Sequence, residues 1–251
     1  MDFLGICGIL LAIVTGFVVW IWIQSYLGFV KPIPGRRKLL VTAHPDDESM
    51  FFAPFIAWET SRGSIVHLIC LSDGNFDGQG SLRRGELTAA CHELGLPQEF
   101  LHLIDSPHFR DDPKASWEPE EILRIIVKYC GEHEIDAVVS FDSHGVSGHR
   151  NHTSIFHALA TLSRNPSFRP CIYTLESVSI LRKYFLLFDT LCTMLWEPEY
   201  VYSLGSDLNS RPQQAMLRHR SQLLWFRHLY MWTSKYMTIN TLRKISFRGS
   251  R

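Results

Sequence analysis

The stretch Lys38-Leu-Leu-Val-Thr42, followed at once by Ala43-His-Pro-Asp-Asp-Glu48, constrains this chain more than any other. The first five residues read as a short buried strand of a parallel sheet. Pro45 has no N–H to donate and turns the backbone, so the strand stops there. One imidazole and three acidic side chains are thereby crowded at a strand's carboxyl end, where open α/β sheets place their ligands. Three carboxylates this close repel one another unless a cation sits among them. His44 and Asp47 are three residues apart, so one turn points both at a common ion and leaves Asp46 beside it. A helix N-terminus, whose dipole favours acids, accounts for Asp47 and Glu48 but not for His44.

The rest of the chain alternates apolar runs with helical patterns. Helices are expected over 49–62, 81–94, 119–130 and 152–163. Strands are expected over 65–71, 100–104, 135–141, 171–175 and 200–204. Strands alternating with helices at this spacing predict βαβ units and a Rossmann-like, doubly wound, mostly parallel sheet. The 251 residues suffice for one such domain. The six cysteines form no C-x-x-C pair and sit mostly in apolar runs, which reads as free thiols in a reducing compartment.

Residues 3–26 carry no charge. As a helix they extend about 36 Å at about 1.5 Å per residue, against a hydrocarbon core of about 30 Å. Arg36, Arg37 and Lys38 follow soon after, so a single-pass anchor over 1–28, a basic linker over 29–37 and a cytosolic domain over 38–251 are expected. Basic and acidic side chains balance at 25 each, so no nucleic-acid partner is indicated. The distribution is uneven: nine basic residues and no acid follow Asp207. Over 217–236, Leu217, Leu224, Trp225, Leu229, Trp232 and Tyr236 fall on one helical face. That pattern suits either a core helix or a basic helix lying in a membrane interface.

The second constellation is Asp142-Ser-His-Gly-Val-Ser-Gly-His-Arg-Asn-His152, after the strand expected at 135–141. In a doubly wound sheet that strand end can face the end of the first strand. His149 and His152 are three apart, so one can reach an ion while the other stays free. Gly145-Val-Ser-Gly-His149 lacks the final glycine of a nucleophile elbow, which excludes a serine hydrolase. Two histidines and one aspartate leave an open position on a metal, as in catalytic zinc sites. The same set also suits non-haem iron. Asp46 is then the natural general base, and a protonated His149 could stabilise an oxyanion and protonate a leaving amine.

These two motifs together resemble the zinc-dependent de-N-acetylases that act on N-acetylglucosamine conjugates. With Met50-Phe-Phe-Ala-Pro54 and Ser221-Gln-Leu-Leu-Trp-Phe-Arg227, the resemblance is to the eukaryotic branch acting on the glycolipid N-acetylglucosaminyl-phosphatidylinositol. It implies one zinc ion per chain on His44, Asp47 and His152, with Asp46 as base and His149 at the oxyanion or leaving group. It also implies sugar contacts from Arg83 and Asp111, and residence in the endoplasmic-reticulum membrane. Many relatives carry aspartate where this chain has Asn151, so orienting His149 would fall to Asp142. A de-N-acetylase of another sugar and a non-catalytic lipid-binding scaffold are the rival readings.

Overall fold

The structure, a computed structural model, describes residues 13–20, 23, 28–112 and 115–245. Eight strands form one sheet: β1 (Val30–Lys31), β2 (Arg37–Thr42), β3 (Ile65–Cys70), β4 (Leu101–Leu103), β5 (Ala137–Phe141), β6 (Cys171–Leu175), β7 (Tyr200–Ser203) and β8 (Ile239–Lys244). Their order is β1-β7-β8-β6-β5-β2-β3-β4. The five strands from β6 to β4 are parallel, while β8 runs antiparallel to both β6 and β7, and β1 antiparallel to β7. The expected α/β sheet is therefore present, with an antiparallel extension on one side.

The parallel centre follows from composition. Leu39, Leu40 and Val41 on β2, and Ala137, Val138, Val139 and Phe141 on β5, are fully buried. A strand buried on both faces must be apolar throughout rather than alternating. From β2 the chain proceeds outward through β3 and β4, then returns to β5 and proceeds the other way. The strand order thus reverses between β2 and β5, the topological switch point at which such sheets bind ligands.

The helices used below are α1 (Asp47–Phe51), α2 (Ala53–Ser61), α3 (Gly80–Glu93), α4 (Pro119–His133), α5 (Arg150–Leu162), α6 (Ile180–Tyr184), α7 (Leu186–Trp196), α8 (Arg211–Met216) and α9 (Trp225–Thr233). The single helix expected over 49–62 is broken at Phe52 into α1 and α2. Pro54 lacks the N–H that would bond the Met50 carbonyl. That carbonyl instead accepts from Tyr230 Oη at 2.9 Å, and the Phe51 carbonyl accepts from Asn240 Nδ2 at 2.8 Å. The break therefore stitches the site-bearing turn to the C-terminal segment.

Two expectations are corrected. No helix among the described residues is long and apolar enough to cross a membrane, so the transmembrane helix expected over 3–26 is not supported. Apolar length is necessary for a span, but a span also needs about 20 residues in one helix; the helix is described over 13–20. The remainder of 3–26 lies outside the described residues apart from residue 23. Second, 217–236 is not one helix: a 3₁₀ turn at Arg220–Gln222 precedes α9, and another at Lys235–Met237 follows it. Tyr236 is buried, whereas Leu224, Trp225, Leu229 and Trp232 are exposed. Residues 29–37, read as a linker, contain β1. Cys70, Cys91, Cys130, Cys171 and Cys192 are free thiols; Cys7 lies outside the described residues.

A buried charge pair ties the two halves of the sheet. Lys38 Nζ on β2 lies 2.6 Å from Glu59 Oε2 on α2, and Tyr202 Oη on β7 donates to Glu59 Oε1 at 2.6 Å. Ile33 N–H donates to the same tyrosine oxygen. Removing one partner strands the other charge in the core, at a cost of about 3–5 kcal/mol. Glu59→Ala is expected to lose stability on that scale in urea unfolding; a loss within the range of a surface substitution would contradict the account.

Candidate active site

β2 delivers Ala43, His44, Pro45 and Asp46 into α1. Asp47 folds back on this turn, its Oδ2 accepting the backbone N–H groups of Ala43 at 3.0 Å and His44 at 2.8 Å. Asp46 has φ 129°, a conformation that L residues avoid and that costs on the order of 1–3 kcal/mol. Glu48 holds it there by accepting the Asp46 N–H on Oε2 at 3.1 Å. The other oxygen of Glu48 meets His219 Nε2 at 2.7 Å, and both side chains are wholly buried.

β5 delivers the second constellation. Asp142 accepts from Ser177 through both its N–H and hydroxyl, and from the His144 and Gly145 N–H groups. Its carboxylate organises the loop and does not orient His149, contrary to the expectation from Asn151. His152 Nδ1 bonds the Gly145 carbonyl at 3.0 Å, and its ring stacks on Phe141 at 3.9 Å. Those contacts make Nδ1 the protonated nitrogen and turn Nε2 toward Asp47 Oδ1, 3.2 Å away.

The two ends meet as expected of a switch point. Ring nitrogens of His44, His149 and His152 lie within 4.8 Å of one another. His44 Nδ1 is 3.8 Å from Asp47 Oδ2, and its Nε2 is 3.1 Å from Asp111 Oδ1. Asp111 thus contacts His44 directly, and Arg83 at 3.3 Å. Asn151 Nδ2 lies 3.0 Å from the same His44 nitrogen, while its Oδ1 is buried without a partner among the described residues. Rotating the amide by half a turn gives that oxygen the His44 N–H. Asn151 accordingly belongs to His44 rather than to His149.

Arg83 on α3 donates to the Gly74 carbonyl at 2.9 Å and the Pro45 carbonyl at 2.6 Å, and lies 3.7 Å from Asp46 Oδ1. Gly74, at φ 71°, admits it closely: a Cβ there would fall 2.5 Å from the guanidinium carbon. Arg227 on α9 reaches Asp46 Oδ2 at 3.2 Å and contacts the sulfur of Met50. All seven side chains expected at the site, together with Arg227, line one pocket of about 800 Å³.

Electrostatics sort the carboxylates. Burial pushes Asp46 up and the charge of Asp47 adds to it, outweighing the opposing pull of Arg227 and Arg83. Burial also acts on Asp47, but His152 and His44 overcome it and hold this carboxyl well below the usual range. Asp111 is likewise lowered against its burial, by the hydrogen bond and charge of His44 and then by Arg83. His149 is pushed down to about 4, by burial first and then by His44 and His152. It is therefore neutral near pH 7, not the protonated group expected from the sequence.

Sequence reasoning missed three contributors. Arg227 lay inside a quoted motif with no role attached. His219 had no signal, being one histidine in a basic stretch 171 positions from Glu48. Lys183, also in the pocket wall, looked like any surface lysine. Burial alone would lower His219, but Glu48 wins and its pKa is raised. The pair therefore stabilises the fold fully below the ordinary histidine pKa of about 6.5, and that stability is lost as pH rises through the higher folded value. The melting-temperature gap between wild type and His219→Gln should be largest in acid and close at alkaline pH; a gap independent of pH would contradict this.

Comparison with known proteins gives one consistent result. Residues 39–163 match the family described as PIG-L: GlcNAc-PI de-N-acetylase. The chain is 40% identical to the N-acetylglucosaminyl-phosphatidylinositol de-N-acetylase of Bos taurus, over 92% of this chain and 94% of that one. Among solved structures it resembles the N,N'-diacetylchitobiose deacetylase of Pyrococcus horikoshii, with TM-score 0.61, 16% identity and 84% of each chain covered. It also resembles the 4-carboxy-2-hydroxymuconate hydratase GalB of Pseudomonas putida, with TM-score 0.56, 16% identity, and 86% and 99% covered. A deacetylase and a hydratase on one scaffold mean that the fold does not name the reaction.

Proposed function

The chain belongs to the GlcNAc-PI de-N-acetylase family, and from that membership we propose that it hydrolyses the acetamide of N-acetylglucosaminyl-phosphatidylinositol, releasing acetate and the free-amine glycolipid. It is an enzyme of hydrolytic deacetylation. The observation that carries the substrate reading is a buried, raised Asp46 facing a three-imidazole cluster in a pocket continuous with an apolar rim. In this reading the reaction is the second step of glycosylphosphatidylinositol anchor synthesis, at the endoplasmic reticulum.

The residues fit a divalent cation. His149 Nδ1 is buried without a hydrogen-bond partner among the described residues, and buried polar atoms are rarely left so; His152 Nε2 beside it faces only the Asp47 carboxylate. In our reading His44, Asp47 and His152 hold the ion, and the nitrogen and oxygen donors favour zinc. Asp111 and Asn151 then accept from the outer nitrogen of His44 and fix its tautomer, as carboxylates commonly do for metal-binding histidines. When bound, the ion polarises the acetyl carbonyl and acidifies a water.

This chain's residues do the rest. Asp46 takes the proton of the attacking water, its raised pKa making it a stronger proton acceptor than an ordinary carboxylate. Arg227 and Arg83 fix the carboxylate that moves the proton. His149, neutral in the resting site, presents an N–H to the oxyanion, so Asp46 is also the group that returns the proton to the leaving amine. Arg83, braced on the Pro45 carbonyl, and Asp111 flank the sugar.

The test is acetate release from N-acetylglucosaminyl-phosphatidylinositol by the full chain. Release should stop with chelator and resume with zinc; recovery with magnesium alone, or no release by zinc-loaded folded protein, would overturn the reading. Asp46→Asn should lower turnover by about two orders of magnitude or more while zinc content stays near wild type. Loss of the metal from that variant would make Asp46 a ligand instead.

A further inference from the structure

Helix α9 carries two adjacent stripes. Phe226, Tyr230 and Thr233, spaced four and three apart, line the pocket. Trp225, Leu229 and Trp232 repeat that spacing on the neighbouring face. Leu229 also borders the pocket, whereas Trp225 and Trp232 do not, and these two are 79% and 86% exposed. On the other lip, α6 and the turn into α7 leave Ile180, Leu181 and Phe185 exposed, and α6 packs beside α9. Single exposed apolar residues are ordinary; a group of them, on both lips of one pocket, marks a surface that something covers.

Charge says what covers it. Lys183 on α6 and Arg227 on α9, the helices that form the two lips, both line the pocket. Arg227 is committed to Asp46. Lys183 has no carboxylate partner among the described residues; its Nζ lies 5.5 Å from the ring of Tyr184 and 5.7 Å from that of Tyr230. The segment after Asp207, which includes α9, carries basic residues and no acid. Exposed tryptophans with cations behind them complement the interface of an anionic bilayer, where indole rings settle and basic side chains meet headgroups.

We propose that the two lips, α9 and the α6–α7 turn, form a membrane-docking surface that seats the pocket mouth in an anionic bilayer. A lipid-linked sugar then enters headgroup first, while its acyl chains stay among those of the bilayer. The cargo rests on the glycolipid reading above; the docking does not.

The double variant Trp225→Ser/Trp232→Ser tests it, since neither residue lines the pocket. On glycolipid in vesicles of phosphatidylcholine and phosphatidylinositol, kcat/KM should fall roughly tenfold, through loss of interfacial affinity. On the acyl-free headgroup, N-acetylglucosaminyl-inositol phosphate, it should stay within about twofold, as for a substitution away from the chemistry. Equal losses on both substrates, or none on either, would overturn the proposal. Wild type inactive on both would sink the glycolipid reading alone. Docking is then decided by an environment-sensitive fluorophore on Trp232→Cys in the full chain, with Lys128→Cys on α4 as reference. Added vesicles should blue-shift the label at 232 and not at 128. No shift at 232, or equal shifts at both, contradicts docking; a shift at 232 that grows with protein concentration without vesicles assigns the face to a second copy instead.

Discussion

Four acidic side chains, Asp46, Asp47, Glu48 and Asp111, are buried or nearly so around the end of one strand, and the architecture depends on what neutralises them. Isolated carboxylates could not stay ionised there. Each has its own answer. Glu48 has His219, Asp111 has Arg83 and His44, and Asp47 has His152. Asp46 alone is held between two arginines and still has its pKa raised. That difference sets Asp46 apart from the carboxylates around it and underlies its proposed role as the base. The neutralising partners come from α3, α5, α9 and the segment before α9, so packing the sheet and assembling the chemistry are one event.

Backbone strain is spent at the same place. The unusual φ of Asp46 persists because Glu48 takes its N–H, Arg83 takes the carbonyl just before it, and Arg227 takes its side chain. Glu48 is thus a positioning residue: it does not line the pocket, yet it links His219 to the backbone conformation of Asp46. The helix break at Phe52 serves the same end: Tyr230 takes the Met50 carbonyl released by Pro54, and Asn240 takes both the Phe51 carbonyl and the Phe55 N–H that would have bonded it. A C-terminal segment distant in sequence is thereby bound to the turn that carries His44, Asp46 and Asp47.

The sheet centre and both site motifs were legible because their signals are local. Continuous apolar runs at β2, β3 and β5 have no other stable place than a covered parallel sheet, and the histidine beside acids after β2 and the histidines beside glycines after β5 converge once the strand order is known. What the sequence hid was non-local or depended on exposure. β8 lay inside a basic tail, and pairing with β6 and β7 gave it order. His219 and Arg227 act only through residues more than 170 positions away. The apolar face over 217–236 had the same pattern whether it faced core or solvent, and only packing separates buried Tyr236 from exposed Trp232. The apolar stretch at 3–26 met the length for a span without the helix to match among the described residues.

The central claim is that His44, Asp47 and His152 form a metal centre, with His149 beside it as an uncharged donor. Elemental analysis of purified full-length variants tests it most directly, because metal content is read independently of substrate. The account predicts one zinc per chain in wild type and in His149→Ala, and loss of zinc in His152→Ala and Asp47→Ala without loss of fold. Zinc retained by His152→Ala, or lost from His149→Ala while the protein stays folded, would contradict it.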